Sequence, residues 1–172
     1  MTDRPMHTVP GAFQKLQQLY AEGEAAIAAR DFETAVAKFT EGIAIDDHFR
    51  QRYITMYAQR ATAYLRMNDF ANAVPDIDKA LEMEPPHHHA NYYFQRALCA
   101  WAGDKDEARA LADLGRAIES DSSFWMPYDL RGRIHFAAGR AAEAARDFEC
   151  VLERQPSEGA RTMLEQARAM LS

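Results

Sequence analysis

The chain has 172 residues, of which 48% are apolar and 27% charged, which suits one globular domain with a real core and excludes a disordered chain. No apolar run approaches the ~18 residues of a membrane span, and the opening MTDRPMHTVP offers no apolar stretch for a secretory signal, so the cytoplasm is expected and membrane insertion is not. A net charge of −6 with scattered Lys and Arg argues against nucleic acid as a partner.

Residues 1–11 are rich in Pro and polar side chains and read as a flexible N-terminal tail, leaving 12–172 as a single domain. Apolar periodicity then predicts helices over 12–29, 32–45, 50–67, 70–83, 88–102, 106–120, 124–138 and 141–154. A last helix over 157–171 places Ala160, Met163, Leu164, Ala167 and Leu171 on one apolar face, with Arg161, Glu165 and Arg168 opposite. Pro75 falls past the first turn of its helix and is expected to cost a hydrogen bond or bend it, whereas Pro127 sits in a first turn, where the missing N–H is cheap.

These helices repeat. Ala35, Ala73, Ala110 and Ala144 are separated by 38, 37 and 34 residues. Four residues after each stands a bulky apolar side chain: Phe39, Ile77, Leu114 and Phe148. Small residues precede the alanines at a nearly fixed distance, at Gly23, Ala61, Ala97 and Gly132, and four residues before those come Leu19, Tyr57, Tyr93 and Tyr128. A small residue where two helices cross lets the backbones approach, and the bulky residue fills the groove beside it. Two departures stand out: about four extra residues in the DDHFRQRY connection at 46–53, and one extra residue in the third internal turn. Local geometry is expected to differ at both places.

The near-34 period, the small–large alternation and the block YAQRATAYLRMNDFANAVPDIDKALEMEP resemble the tetratricopeptide repeat. The resemblance covers about 16–156 and implies an all-α, right-handed α-solenoid of four repeats, at about 16–49, 54–87, 90–123 and 125–158, plus a capping helix over 157–171.

No phosphate-binding, nucleophile-elbow, zinc-protease or dinucleotide signature is present, so no enzyme activity, catalytic residue or cofactor is expected. His87, His88 and His89 form the only histidine cluster; without an adjacent carboxylate or cysteine they read as a solvated turn, and no metal site is assigned. His135 reads as a satisfied packing residue, and Cys99 and Cys150 as reduced core residues.

Binding is what the resemblance implies. In that family the first helix of each repeat lines a concave groove for a partner's peptide or helix. Projected onto this chain, the groove takes Tyr20, Glu24 and Ile27 from the first repeat and Gln59, Thr62 and Arg66 from the second. The third supplies Asn91, Phe94, Gln95 and Leu98, and the fourth Met126, Asp129 and Arg133. The chaperone-binding version clamps a C-terminal carboxylate with lysines, asparagines and an arginine; this chain has Tyr20, Glu24, Gln59, Asn91 and Gln95 at those places, so no acidic tail is expected there. Glu24 and Asp129 favour a neutral or basic partner, with Arg66 and Arg133 blunting the preference. The expected function is a non-catalytic adaptor or co-chaperone whose partner is another protein. Alternatives are a self-assembling homo-oligomeric scaffold or a secretion-type chaperone.

Overall fold

The computed structural model describes residues 11–45, 50–85 and 88–171. Apart from Gly11, the tail expected at 1–11 lies outside the described residues, as do His87 and residues 46–49 of the long connection. Among the described residues there is no strand. The helices are α1 (Ala12–Ala28), α2 (Phe32–Ile43), α3 (Arg50–Arg66), α4 (Phe70–Met83), α5 (Ala90–Leu98), α6 (Glu107–Ser120), α7 (Trp125–Ala137), α8 (Ala141–Arg154) and α9 (Glu158–Ala169). They gather into two compact units, Met1–Glu84 with α1 to α4 and Pro85–Ser172 with α5 to α9.

Each internal turn reverses the chain through one residue with positive φ: Arg30 (62°), Asn68 (57°), Lys105 (58°) and Gly139 (74°). In three of the four, the next residue's N–H reaches back five positions, from Asp31 to Ala26, Asp69 to Tyr64 and Arg140 to His135, closing a Schellman motif that satisfies the helix's last carbonyls. The same residue opens the second helix. Asp31, Asp69 and Asp106 each accept the N–H three residues on, from Thr34 (3.1 Å), Asn72 (3.2 Å) and Arg109 (3.0 Å), which caps the exposed helix start.

Both irregularities of the repeat are absorbed by helix geometry. Tyr57 is the eighth residue of α3, whereas Tyr93 and Tyr128 are the fourth of α5 and α7, so the residues expected as extra connection add one turn to the start of α3. The extra residue of the third turn becomes a π-helical stretch, Cys99–Asp104, after which the Asp106 N–H reaches back six positions to Ala100. Pro75 does not end its helix: α4 runs unbroken from Phe70 to Met83 with Pro75 on the exposed side.

Packing follows the small–large pattern. Where the second helix carries Phe, the first carries Gly: an added Cβ at Gly23 would lie 2.6 Å from the Phe39 ring, and one at Gly132 would lie 3.0 Å from the Phe148 ring and 3.2 Å from Asp147 Cβ. Where the second helix carries the smaller Ile77 or Leu114, the first carries Ala61 or Ala97, and all four are fully buried. Ala160, Leu164 and Ala167 of α9 are buried, the latter two against Ala144, Ala145 and Phe148 of α8. Leu171, expected on that face, lies beyond the end of α9 and is 57% exposed. Arg168 pairs with Glu149 of α8 at 2.8 Å.

A second periodic feature holds each helix pair together. Arg60 of α3 grips Asp76 of α4 with two hydrogen bonds of 2.7 Å. Arg96 of α5 holds Asp113 of α6 at 2.8 and 2.8 Å, and Arg131 of α7 holds Asp147 of α8 at 2.9 and 2.7 Å. All three aspartates are buried, and each arginine lies over the tyrosine one turn before it, Tyr57, Tyr93 or Tyr128, at 5.5–5.7 Å. The same register in the first repeat has the charges exchanged: Glu22 of α1 accepts from Lys38 of α2 at 2.7 Å, with both side chains about one-third exposed (36% and 34%). Hydrogen bonding to the aspartate raises the pKa of Arg60 and Arg131 above the ordinary arginine value.

Removing one partner of a buried pair strands the other charge, so Asp113→Ala is expected to cost about 3 kcal/mol or more. Glu22→Ala, in the exposed and solvent-screened pair, is expected to cost far less. Urea unfolding of both variants checks the order. Gly132→Ala is expected to cost about 1–3 kcal/mol through overpacking against Phe148, and Phe148→Leu in the same chain is expected to return part of it; a double-mutant cycle by the same method checks the coupling.

Candidate functional site

The residues expected to line a groove come from α1 and α3 in the first unit and from α5 and α7 in the second, and each unit arranges them differently. In the first unit the Arg60–Asp76 pair fixes α3 against α4, and Arg60 also donates to Thr40 Oγ1 of α2 at 2.8 Å. With α3 so placed, Tyr20, Glu24 and Gln59 come together. Tyr20 Oη donates to Glu24 Oε1 at 2.8 Å, Gln59 Nε2 donates to the same oxygen at 3.3 Å, and the Tyr20 ring leans on Phe39 at 6.1 Å. Glu24 is thus held by neutral donors. Thr62 donates its hydroxyl hydrogen to the Ala58 carbonyl at 2.9 Å.

Ile27 and Arg66 separate from that cluster. Together with Arg30 and Phe32, neither of them among the expected groove residues, they bound a hollow of about 260 Å³ at the C-terminal ends of α1 and α3. The signal for Arg30 was in the sequence, as the residue before a capping Asp. Its left-handed conformation is not something the residue type advertises.

In the second unit the aromatic element is a pair. Phe94 meets Phe124 edge to face with centroids 5.4 Å apart. Phe124, which was not among the expected residues, also bounds a hollow of about 350 Å³ with His88, Ala90, Asn91 and Asp121. Asn91 is exposed, and Gln95, one helical turn on, is half-buried. The Gln95 Oε1 atom is buried and accepts no hydrogen bond. Leu98 and Met126 are half-buried, and Asp129 is taken up by Arg133 of its own helix at 2.7 Å, which raises the Arg133 pKa.

His89 is buried edge-on against Tyr93 at 5.7 Å while its neighbour His88 is exposed, and among the described residues no three His, Cys, Asp or Glu side chains gather as a metal site. Cys99 is buried and Cys150 half-buried. His135 Nδ1 accepts from Arg140 Nε at 2.8 Å, and Arg140 in turn pairs with Glu107 at the start of α6. No helix among the described residues is long and apolar enough to cross a membrane.

Residues 59–124 match the tetratricopeptide repeat family. This chain carries tetratricopeptide repeats. It is 30% identical over 105 residues to the protein SGT1 homolog of Oryza sativa subsp. japonica, covering 61% of this chain but 27% of that one. The tetratricopeptide-repeat chain thus spans about a quarter of that relative's length. Among solved structures it resembles the MamA protein, with a TM-score of 0.73 at 13% identity over 92% of this chain and 88% of that one. It also resembles the first TPR of Spaghetti (RPAP3) bound to HSP90 peptide SRMEEVD, with a TM-score of 0.62 at 24% identity over 69% of this chain and 94% of that one. The fold is therefore the helical solenoid of the tetratricopeptide repeat, a protein-interaction module.

Burial lowers the His135 pKa below its ordinary 6.5, with Arg140 and Arg131 adding to the shift and Asp147 and Glu143 opposing it. A histidine kept neutral in the fold contributes stability that is complete above its unfolded pKa and is lost as pH falls through and below that value. The thermal midpoint is therefore expected to drop between about pH 7.5 and about pH 5.5. His135→Gln, which keeps an acceptor for Arg140 and removes the titration, is expected to flatten that part of the profile. Differential scanning fluorimetry across the range checks it.

Proposed function

We propose that this chain is a non-catalytic adaptor or co-chaperone that holds an extended peptide or a helix of another protein on the first helices of its repeats. The observation that carries this reading is Gln95. Its Oε1 atom is buried and unpartnered one turn from the exposed amide of Asn91 and next in sequence to the Phe94–Phe124 pair. A buried acceptor left unmade costs about 1–3 kcal/mol. Turning of the half-buried Gln95 amide toward an incoming main-chain N–H would recover that cost, and an apolar side chain beside the aromatic pair would anchor the same segment.

The Spaghetti domain is bound to an acidic peptide ending in Asp. In this chain the places matching the family's carboxylate clamp, Tyr20, Glu24, Gln59, Asn91 and Gln95, hold no cation, and Glu24 is itself an acid. The peptide mode carries over to the proposal; the terminal-carboxylate clamp does not. The amides at 91 and 95 suit main-chain recognition, which depends on the partner's conformation more than on its terminus.

The test is crosslinked capture from native lysate by the full chain and by an Asn91→Ala, Gln95→Leu variant, with retained helical circular dichroism as the control. Gln95→Leu removes an unsatisfied acceptor, so the variant is expected to be at least as heat-stable as the wild type while its capture of a defined partner falls about tenfold or more. Equal capture by both chains, or capture of the chain's own copies alone, would move the function to another surface or to self-assembly.

A further inference from the structure

We infer that the hollow bounded by Ile27, Arg30, Phe32 and Arg66 docks an acidic side chain of the partner, from a segment in which Asp or Glu stands beside a bulky apolar residue. The inference rests on the peptide-binding reading above and names the partner's chemistry.

The hollow, of about 260 Å³, lies within one compact unit and combines two kinds of wall. Ile27 and Phe32 are half-buried and pack on the core cluster of Leu16, Ala26, Ala35, Phe39, Met56 and Ala63, so the apolar wall is backed by fully packed side chains. Arg30 and Arg66 are exposed, and among the described residues neither guanidinium has a hydrogen bond or an ion pair. Of the acids near them in sequence, Glu33 in the first turn of α2 pairs with neither arginine, and the others are committed elsewhere. Asp31 and Asp69 cap α2 and α4, and Glu24, one turn before Ile27, is held by Tyr20 and Gln59.

The two arginines are placed by different devices. Arg30 sits at the left-handed position of its turn, φ 62°, where its backbone is pinned by the bonds from Arg30 N to Ile27 O and from Asp31 N to Ala26 O. The other internal turns put Asn68, Lys105 and Gly139 at that position, so the turn itself does not require arginine. Arg66 is the last residue of α3, close to the helix's carbonyl end, where a cation is favoured. A planar guanidinium matches a carboxylate with two parallel hydrogen bonds, and a second cation nearby raises the selectivity for an anion. The neighbouring Ile and Phe take the apolar residue. In a chain of net charge −6, two unneutralised guanidinium groups on one small apolar hollow give that place a local preference opposite in sign to the protein as a whole.

A random peptide library displayed on phage and panned on the immobilised full chain tests this. Retained peptides are expected to be enriched in Asp or Glu next to Leu, Ile or Phe. An Arg30→Gln, Arg66→Gln variant, which breaks no hydrogen bond or ion pair among the described residues and should stay folded with a thermal midpoint only slightly lowered, is expected to lose that enrichment and to bind the leading peptide about tenfold or more weaker. An Arg30→Lys, Arg66→Lys variant should keep the enrichment. Should the Gln variant lose its fold, the wild type is measured against the same peptide with amides in place of its acids, and the same weakening is expected. Retained peptides with no acidic bias, or a bias that survives in the folded Gln variant, would overturn the inference and leave the peptide-binding reading standing. Retention of no peptide, or of only phosphatidylserine vesicles or a second copy, would overturn both.

Discussion

The buried arginine–aspartate pair is the contact on which the repeat architecture turns. In the second, third and fourth repeats it joins the middle of the first helix to the middle of the second, through two near-parallel hydrogen bonds, and a tyrosine one turn away covers the guanidinium. Apolar packing alone tolerates sliding of one helix along another by a turn, because a small–large pattern partly matches itself when shifted. A buried ion pair does not, since any other register strands a charge in the core. The pair adds little net stability over an apolar substitute, and its physical role here is to fix which turn of one helix faces which turn of the other. The exchanged Glu22–Lys38 pair of the first repeat serves the same register with the signs reversed and in a wetter place.

That register governs everything presented on the first helices. Tyr20, Glu24 and Gln59 meet because α1 and α3 are each locked to their second helices in the same register, and Arg60 extends the lock by reaching back to Thr40. Phe94 meets Phe124, and Asn91 and Gln95 fall on one side of α5, because Arg96 next to Gln95 is committed to Asp113 and sets the rotation of that helix. Neighbouring residues on one helix point about 100° apart, so burying Arg96 turns Gln95 toward a different surface. The structural side chains and those proposed to bind alternate along the same short segments.

Much of the fold was legible in the sequence because it obeys a period. Small residues at Gly23, Ala61, Ala97 and Gly132 and large ones at Phe39, Ile77, Leu114 and Phe148 recur at spacings that only a repeated helix pair explains, and the Asp that ends three of the four turns is a cap by residue type. The ion pairs obey the same period, in Tyr-x-x-Arg on the first helix and Ala-x-x-Asp on the second, yet charged residues read one at a time look like solvated surface. Only the alignment of repeats against one another reveals that Arg60, Arg96 and Arg131 recur three positions after a tyrosine. The π-helical stretch was legible as an extra residue but not as a conformation, since one inserted residue can be placed in a loop or wound into a helix at similar cost.

The site was less legible, for a reason that lies in electrostatics. From residue types, Glu24 and Asp129 on the first helices suggest a surface that prefers neutral or basic partners. A charge acts on a partner only to the extent that its neighbours leave it unsatisfied. Glu24 receives two hydrogen bonds and Asp129 an arginine, whereas Arg30 and Arg66 receive nothing. The charge left available at the first unit's hollow is therefore positive, although the chain as a whole is acidic. The difference is created by tertiary contacts: α3 must be in register with α1 before Gln59 can reach Glu24, and α1 must end in a left-handed turn before Arg30 stands beside Phe32. Binding preference in such a repeat protein is set by which charges the helix register leaves over, and that quantity appears only once the helices are placed.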